Sequence, residues 1–347
     1  MPLKIIRCHP SRFDALVAFV AAHNPQPEHH IGYFGLTPED IRLSLRMFNW
    51  PFDRATSLAV AGNRIVGVLA ADIDKELGRA WLYGPLIAAD DRGAATLPIA
   101  EGASEDAPSV GEVSGDAPPA PPPAPPATRS PAPLLPRSPA LFDWAATADA
   151  LYAAVAARLP AGIGEHEMFV DTANVNCRAF AERHGFATHG EWAIYFITPD
   201  RLALLPEATA GGWDERFAGQ LEALHNQLFP NSNYTLNYMR QELAERGAQL
   251  LLATEGDRLT GYFFGRYEAE AGEGYVDLVG VDESRRRTGL GRRLMLAGLS
   301  RLRGEAGLRQ VNLSVAAGNT AAMTLYDSLG FVRERDMIAF RRVIHSD

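Results

Sequence analysis

The sequence predicts an α/β chain of the α+β type, built as two copies of one unit. Three observations carry this. The hairpin segment GNRIVGVLAAD, Gly62 to Asp72, returns 194 residues later as GDRLTGYFFGR, Gly256 to Arg266. Both read as a tight Gly-Asn or Gly-Asp turn leading into an apolar strand. The segment NVNCRAFAERHGF, Asn174 to Phe186, returns 145 residues later as NTAAMTLYDSLGF, Asn319 to Phe331. Between these landmarks, strand and helix patterns follow one another in the same order in both copies. The two separations differ by 49 residues, so the first copy carries an insertion.

The elements of the second copy follow in order. WDERFAGQLEALHNQLF and YTLNYMRQELAERG read as amphipathic helices. QLLLATE and RLTGYFFGRYEAE are the strands of the hairpin, and GYVDLVGV is a third strand. GRRLMLAGLSRLRGEAG is a helix with Leu294, Gly298, Leu299 and Leu302 on one face. QVNLSV is a strand, NTAAMTLYDSLG a helix with Asn319 as its N-cap, and MIAFRRVI a last strand. The first copy repeats the series: RFDALVAFVAAH, TPEDIRLSLRMF, TSLAVAG, RIVGVLAAD, RAWLYGPLIA, LFDWAATADALYAAVAARL, HEMFVDT and the Asn174 helix.

The insertion falls where SGDAPPAPPPAPPATRSPAPLLPRSP lies, Ser114 to Pro139. Proline fixes φ and lacks an N–H, so this tract predicts neither a helix nor a central strand. With its acidic flank the insert spans about 98–140. The expected units are 1–200 and 212–347, joined by a linker over 201–211 within LLPEATAGGW.

Composition narrows the function classes. The chain has 347 residues, of which 47% are hydrophobic and 22% charged, so each copy is long enough for its own core. A net charge of −9 argues against a nucleic-acid partner. Two cysteines, Cys8 and Cys177, make neither a disulfide framework nor a zinc site, and no metal is expected. The start MPLKIIRCHP lacks a signal-peptide apolar region, and no apolar run approaches a membrane span. The expectation is a cytoplasmic protein with no membrane partner.

Against this acidic background, RRRTGLGRRL, Arg285 to Leu294, places five arginines around two glycines, between a strand and a helix. That is the arrangement for holding a phosphate on backbone amides at a helix N-terminus. A P-loop needs Gly-Lys-Ser/Thr, and there is no lysine here. A dinucleotide fold needs a third glycine where Leu294 stands, and its strand would open a βαβ series rather than follow a hairpin.

Arg286-x-x-Gly289-x-Gly291 after a strand ending at Val281 resembles the pyrophosphate loop of the GNAT superfamily of acyl-CoA N-acyltransferases. NTAAMTLYDSLGF is similar to that family's closing motif, N-x-x-A-x-x-L-Y-x-x-x-G-F, at every position. The tandem arrangement resembles that of mycothiol synthases. The resemblance implies two GNAT folds, each a mixed, mostly antiparallel sheet flanked by helices. It implies acetyl-CoA as cosubstrate and an amine acceptor, either a small molecule or a peptide. The loop residues Arg286, Arg287, Thr288, Gly289, Leu290, Gly291 and Arg292 would bind the cosubstrate's pyrophosphate. Val279, Gly280 and Val281 would offer backbone to its acyl arm, and Asn319 would lie near that arm. Tyr326 matches the tyrosine that protonates the departing sulfur. Asp277, or Glu273, is the candidate general base, since a carboxylate in an apolar strand is costly unless paired or used. Tyr234 and Tyr238 are expected in the acceptor wall.

The first copy departs from the pattern. DDRGAATL, Asp90 to Leu97, keeps Arg92 but has Ala95 and Leu97 in place of both glycines, and Ala181 replaces the tyrosine. Transfer chemistry is therefore expected in the second copy alone, and removal of residues 1–200 is expected to expose apolar surface and harm solubility or acceptor recognition while leaving that copy's loop in place. The alternative is a CoA-binding regulatory or interaction module without turnover.

Overall fold

The computed structural model describes residues 3–88, 143–230, 232 and 234–344. The Pro-rich insert and the loop relic at Arg92, Ala95 and Leu97 lie outside the described residues. The first half runs β1 (Leu3–Arg7), α1 (Phe13–His23), α2 (Pro38–Arg46), α3 (Phe52–Ala55), β2 (Ser57–Ala61), β3 (Arg64–Asp74), β4 (Arg79–Ile87), α4 (Trp144–Ala156), β5 (Glu165–Asp171), α5 (Val175–Arg183) and β6 (Ala187–Ile197). Then come α6 (Pro199–Leu202), β7 (Gly211–Gly212), α7 (Ala218–Leu228), α8 (Leu236–Glu245), β8 (Gln249–Glu255), β9 (Arg258–Glu268), β10 (Glu273–Val281), α9 (Leu290–Leu302), β11 (Gln310–Ala316), α10 (Thr320–Ser328) and β12 (Val332–Val343).

The repeat seen in the sequence has local causes. Gly62 and Gly256 open the two hairpin turns at φ 60° and 59°, a left-handed conformation that glycine adopts without a Cβ clash. Asn174 and Asn319 cap α5 and α10, accepting from the amides of Cys177 at 3.1 Å and Ala322 at 3.2 Å. Thr37 and Asp40 form a reciprocal capping box at the start of α2, with Pro38 at its first turn.

The described strands form one sheet in the order β1-β2-β3-β4-β5-β12-β6-β11-β10-β9-β8-β7. Two pairs are parallel, β4 with β5 and β10 with β11; every other neighbouring pair is antiparallel. The centre of the sheet is exchanged. β6, the last strand of the first half, pairs with β11 of the second. β12, the last strand of the second half, lies between β5 and β6 of the first. Each half thus lends its final strand to the other, and β5-β12-β6-β11 reads alike from either end.

The cores follow the exchange. Ile338 and Phe340 of β12 are buried with Leu16, Phe19, Leu151 and Phe180 of the first half. Ala193, Tyr195 and Ile197 of β6 are buried with Leu294, Met295 and Leu299 of α9. On the other face of the second half, Leu221 and Met239 of α7 and α8 pack on Tyr262 and Phe264 of β9. Each such aliphatic or aromatic side chain contributes about 1.5–3 kcal/mol when fully buried.

Candidate active site

β10 and β11 run side by side only from Glu273–Gln310 to Val276–Leu313. Beyond that point β10 stays with β9 and β11 stays with β6, so the two parallel strands part. The register of β10 on β9 shifts between Val276 and Leu278, making Asp277 a bulge residue. Bulges increase local twist and re-aim a side chain, and they recur beside active sites. Val279 and Val281 follow on the stretch of β10 that has left β11, and both are half-buried.

The phosphate-loop candidate sits where this strand ends. Gly289 is the N-cap of α9 at φ 83°, and no side chain caps the helix. The first-turn amides of a 13-residue helix are therefore open to an anion. Arg287 is also left-handed, at φ 60°. A Cβ at Gly291 would lie 3.7 Å from Val281 and 3.8 Å from Leu325, so α9 starts against both β10 and α10. Among the described residues, the guanidinium groups of Arg286, Arg287 and Arg293 have no hydrogen-bond or ion-pair partner, while Arg285 pairs with Glu255 and Arg292 donates to Ser328 Oγ at 2.9 Å. Unpaired cations at a helix N-terminus oppose its dipole unless an anion joins them.

Tyr326 lies on α10, 9% exposed, between the rings of Tyr195 and Phe331. Burial pushes its phenol up to about 12, so it is protonated at neutral pH. Asn319 has its carboxamide oxygen committed to the cap of α10 and is otherwise exposed.

On the opposite side of β10, the carboxylate of Asp277 is fully engaged. Arg266 Nε donates to Oδ2 at 3.0 Å and Nη2 to Oδ1 at 3.3 Å. Tyr234 donates its hydroxyl to Oδ1 at 2.9 Å. Tyr238 meets Tyr234 edge-on at 5.4 Å. Burial, then the charge of Asp277, push the Tyr234 phenol well up, so it remains a donor. The expense foreseen for an aspartate in an apolar strand is thus met by a guanidinium, and this geometry favours positioning over proton abstraction. Sequence reading gave Arg266 no role. The signal was there in the pairing of the hairpin, since Arg266 stands directly across from Tyr275, and cross-strand neighbours on one face interact.

The first half supplies an internal comparison. The last parallel pair is Leu82–Met168 there and Val276–Leu313 in the second half, so Tyr83, Gly84 and Pro85 correspond to Asp277, Leu278 and Val279. Pro85 has no N–H to offer where Val279 has one. Pro85, Ile87, Cys177 and Phe180 are buried, whereas their counterparts Val279, Val281, Ala322 and Leu325 are half-buried. Cys177 Sγ on α5 donates directly to the Pro85 carbonyl at 3.2 Å. The groove between helix and parting strand is closed in the first half and accessible in the second.

Residues 218–331 match the acetyltransferase (GNAT) family model. A mycothiol acetyltransferase from Thermobispora bispora is 46% identical over 102 residues, 27% of this chain and 34% of that protein. One from Geodermatophilus obscurus is 41% identical over 100 residues, 27% of this chain and 32% of that protein. The chain thus spans about a third of the length of the curated relatives it matches. Among solved structures, a GCN5-related N-acetyltransferase from Sphaerobacter thermophilus has a TM-score of 0.61 at 15% identity, covering 99% of this chain and 96% of its own. A tandem GNAT protein from the clavulanic acid biosynthesis pathway has a TM-score of 0.58 at 16% identity and covers all of both chains. Residues 218–331 thus carry an acetyltransferase (GNAT) family domain, and the chain as a whole shares the fold of a tandem GNAT protein.

Proposed function

We propose that the chain transfers an acetyl group from acetyl-CoA to an amine, with the chemistry confined to the second half. The observation that carries this is the contrast between the two grooves. In the second half the strands part beside an uncapped, arginine-rich helix start. In the first half the same groove is shut by Cys177 and Phe180, and the amide at Pro85 is missing.

The residues present suit this cosubstrate. The amides from Arg287 to Arg292 would receive a pyrophosphate, and the unpaired guanidiniums of Arg286, Arg287 and Arg293 would neutralise further phosphate charge. The thioester supplies an acyl group already activated for attack. The backbone of Val279 to Val281 would polarise its carbonyl. The amine nitrogen forms a bond to the carbonyl carbon, and the carbon–sulfur bond breaks. Tyr326 gives its proton to the departing sulfur, and the proton lost by the nitrogen restores the phenol through solvent. Asp277 holds Tyr234 and Arg266 in place beside the point of attack, with Tyr238 completing the wall.

Calorimetry with acetyl-CoA and release of the CoA thiol on adding amines test this reading. One acetyl-CoA bound per chain and amine-dependent thiol release are expected. Binding without release to any amine would favour a non-catalytic CoA-binding module, and two equivalent sites would refute the assignment to one half.

A further inference from the structure

A cleft of about 250 Å³ lies between the two halves. Tyr33, Phe34 and Asp40 line it from the first half, and Glu273, Tyr275 and Asn312 from the second. Glu273, Tyr275 and Asp277 are alternate residues of β10. Alternate residues share a face at about 7 Å per step, so the cleft at Glu273 and Tyr275 lies on the same face of β10 as Asp277, which stands where the strands part.

Among the described residues, the charges around it are paired at close range except one, Glu273. Asp40 meets Arg309 at 3.3 Å, Glu268 meets Arg266 at 3.0 Å, and Glu334 meets Arg335 at 2.9 Å. Glu273 instead accepts only from neutral groups: Tyr275 hydroxyl at 2.6 Å, Asn312 at 3.0 Å and Gln310 at 3.1 Å. Its nearest guanidinium, Arg309, is 4.0 Å away and already serves Asp40. Burial raises the pKa of Glu273, and Arg309 at 4.0 Å offsets this only in part.

The duplicated half shows the same patch with its charges paired. By strand register, Arg79, Glu165 and Glu167 correspond to Glu273, Gln310 and Asn312. Arg79 donates twice to Glu165, at 2.9 and 3.0 Å, and Arg341 meets Glu167 at 3.0 Å. Two guanidiniums there neutralise two carboxylates. In the second half the corresponding patch keeps one negative charge, and it faces a cleft.

Resting on the transferase reading above, we propose that this cleft is the acceptor subsite and that Glu273 selects acceptors bearing a second cationic group. The substrate class is then a diamine or polyamine-like compound. One nitrogen is acetylated near the parting of β10 and β11, while another, still an ammonium, sits on Glu273. Tyr275 lies along the intervening chain. Glu273 is a specificity residue and takes no part in bond making.

The test uses the full chain, acetyl-CoA and matched acceptors: pentylamine, 1,5-diaminopentane and spermidine. The wild type is expected to favour the di- and triamines by about tenfold or more in kcat/KM, the scale of one hydrogen bond to a charged group. Glu273→Gln, nearly isosteric, is expected to erase that preference by raising KM for the diamines far more than for pentylamine. Equal kcat/KM for pentylamine and diaminopentane in the wild type overturns the inference, and that comparison needs no variant. So does a Glu273→Gln chain that binds acetyl-CoA normally and loses all acceptors alike. Absence of acetyl-CoA binding in the wild type refutes the transferase reading and this inference with it; binding and turnover indifferent to the second charge refute this inference alone.

Discussion

At the scale of single residues, Tyr326 and Arg266 do different work on either side of β10. Tyr326→Phe keeps the ring between Tyr195 and Phe331 and removes only the donor. Turnover is expected to fall ~100-fold or more, with acetyl-CoA affinity by calorimetry unchanged. Full activity would assign the ring to packing alone. Arg266→Met leaves Asp277, 6% exposed, without its cation. A stability loss of about 3 kcal/mol in denaturant unfolding is expected. Much of it should be recovered in Arg266→Met/Asp277→Leu, where no unpaired charge remains. Two histidines set an acid limit. Burial lowers His30 to about 3 and His166 to about 4, so both are neutral in the folded chain at pH 7. The unfolded chain takes up their protons below about pH 6.5. Stability from these groups is therefore complete above that pH and lost as pH falls toward 4, by up to about 1.4 kcal/mol per pH unit for each. Urea midpoints at pH 7, 5.5 and 4.5 should fall in that order, and less steeply in His166→Gln.

At the scale of elements, the turn into α9 is the part the cosubstrate reading depends on most. Gly289 holds φ 83°, and a Cβ there would meet nothing within 4 Å, so its constraint is backbone conformation rather than space. Gly289→Val is expected to strain the turn by about 1–2 kcal/mol and weaken acetyl-CoA binding. Gly291 has ordinary contact distances around its missing Cβ, so Gly291→Ala should fold normally. Gly291→Glu adds a carboxylate at the first turn and should abolish binding in calorimetry while the thermal midpoint holds. Unchanged affinity in that folded variant would move the phosphate site elsewhere. These elements were legible in the sequence because each is specified by near neighbours: Gly for a left-handed turn, Asn for a cap, alternation for a strand.

At the scale of the whole molecule, strand exchange changes what removing one half should do. The sequence reading expected the second copy's loop to survive without residues 1–200. In the fold, that deletion removes β6, the partner of β11, and β5, the outer partner of β12. It also strips Ala193, Tyr195 and Ile197 from the core beneath α9. A chain beginning at residue 201 is expected to aggregate or unfold, and to regain acetyl-CoA binding only when co-expressed with residues 1–200. A soluble fragment that binds acetyl-CoA by itself would show that β10 and α9 hold their geometry without the exchanged strands.

The sequence by itself determined the duplication, the order of strands and helices, the arginine-glycine loop at the start of α9 and the tyrosine of α10. All of these are set by spacing along the chain, through turn chemistry, capping and hydrophobic period. Tertiary structure alone decided that β12 crosses into the first half, that Arg266 neutralises Asp277, and that Cys177 closes the first groove against Pro85. It also decided that Glu273 faces a cleft walled by the other half. Each of these joins residues far apart in sequence or on different strands. Local propensity specifies a strand and its apolar face, but which edge that strand joins depends on burial shared by both halves at once.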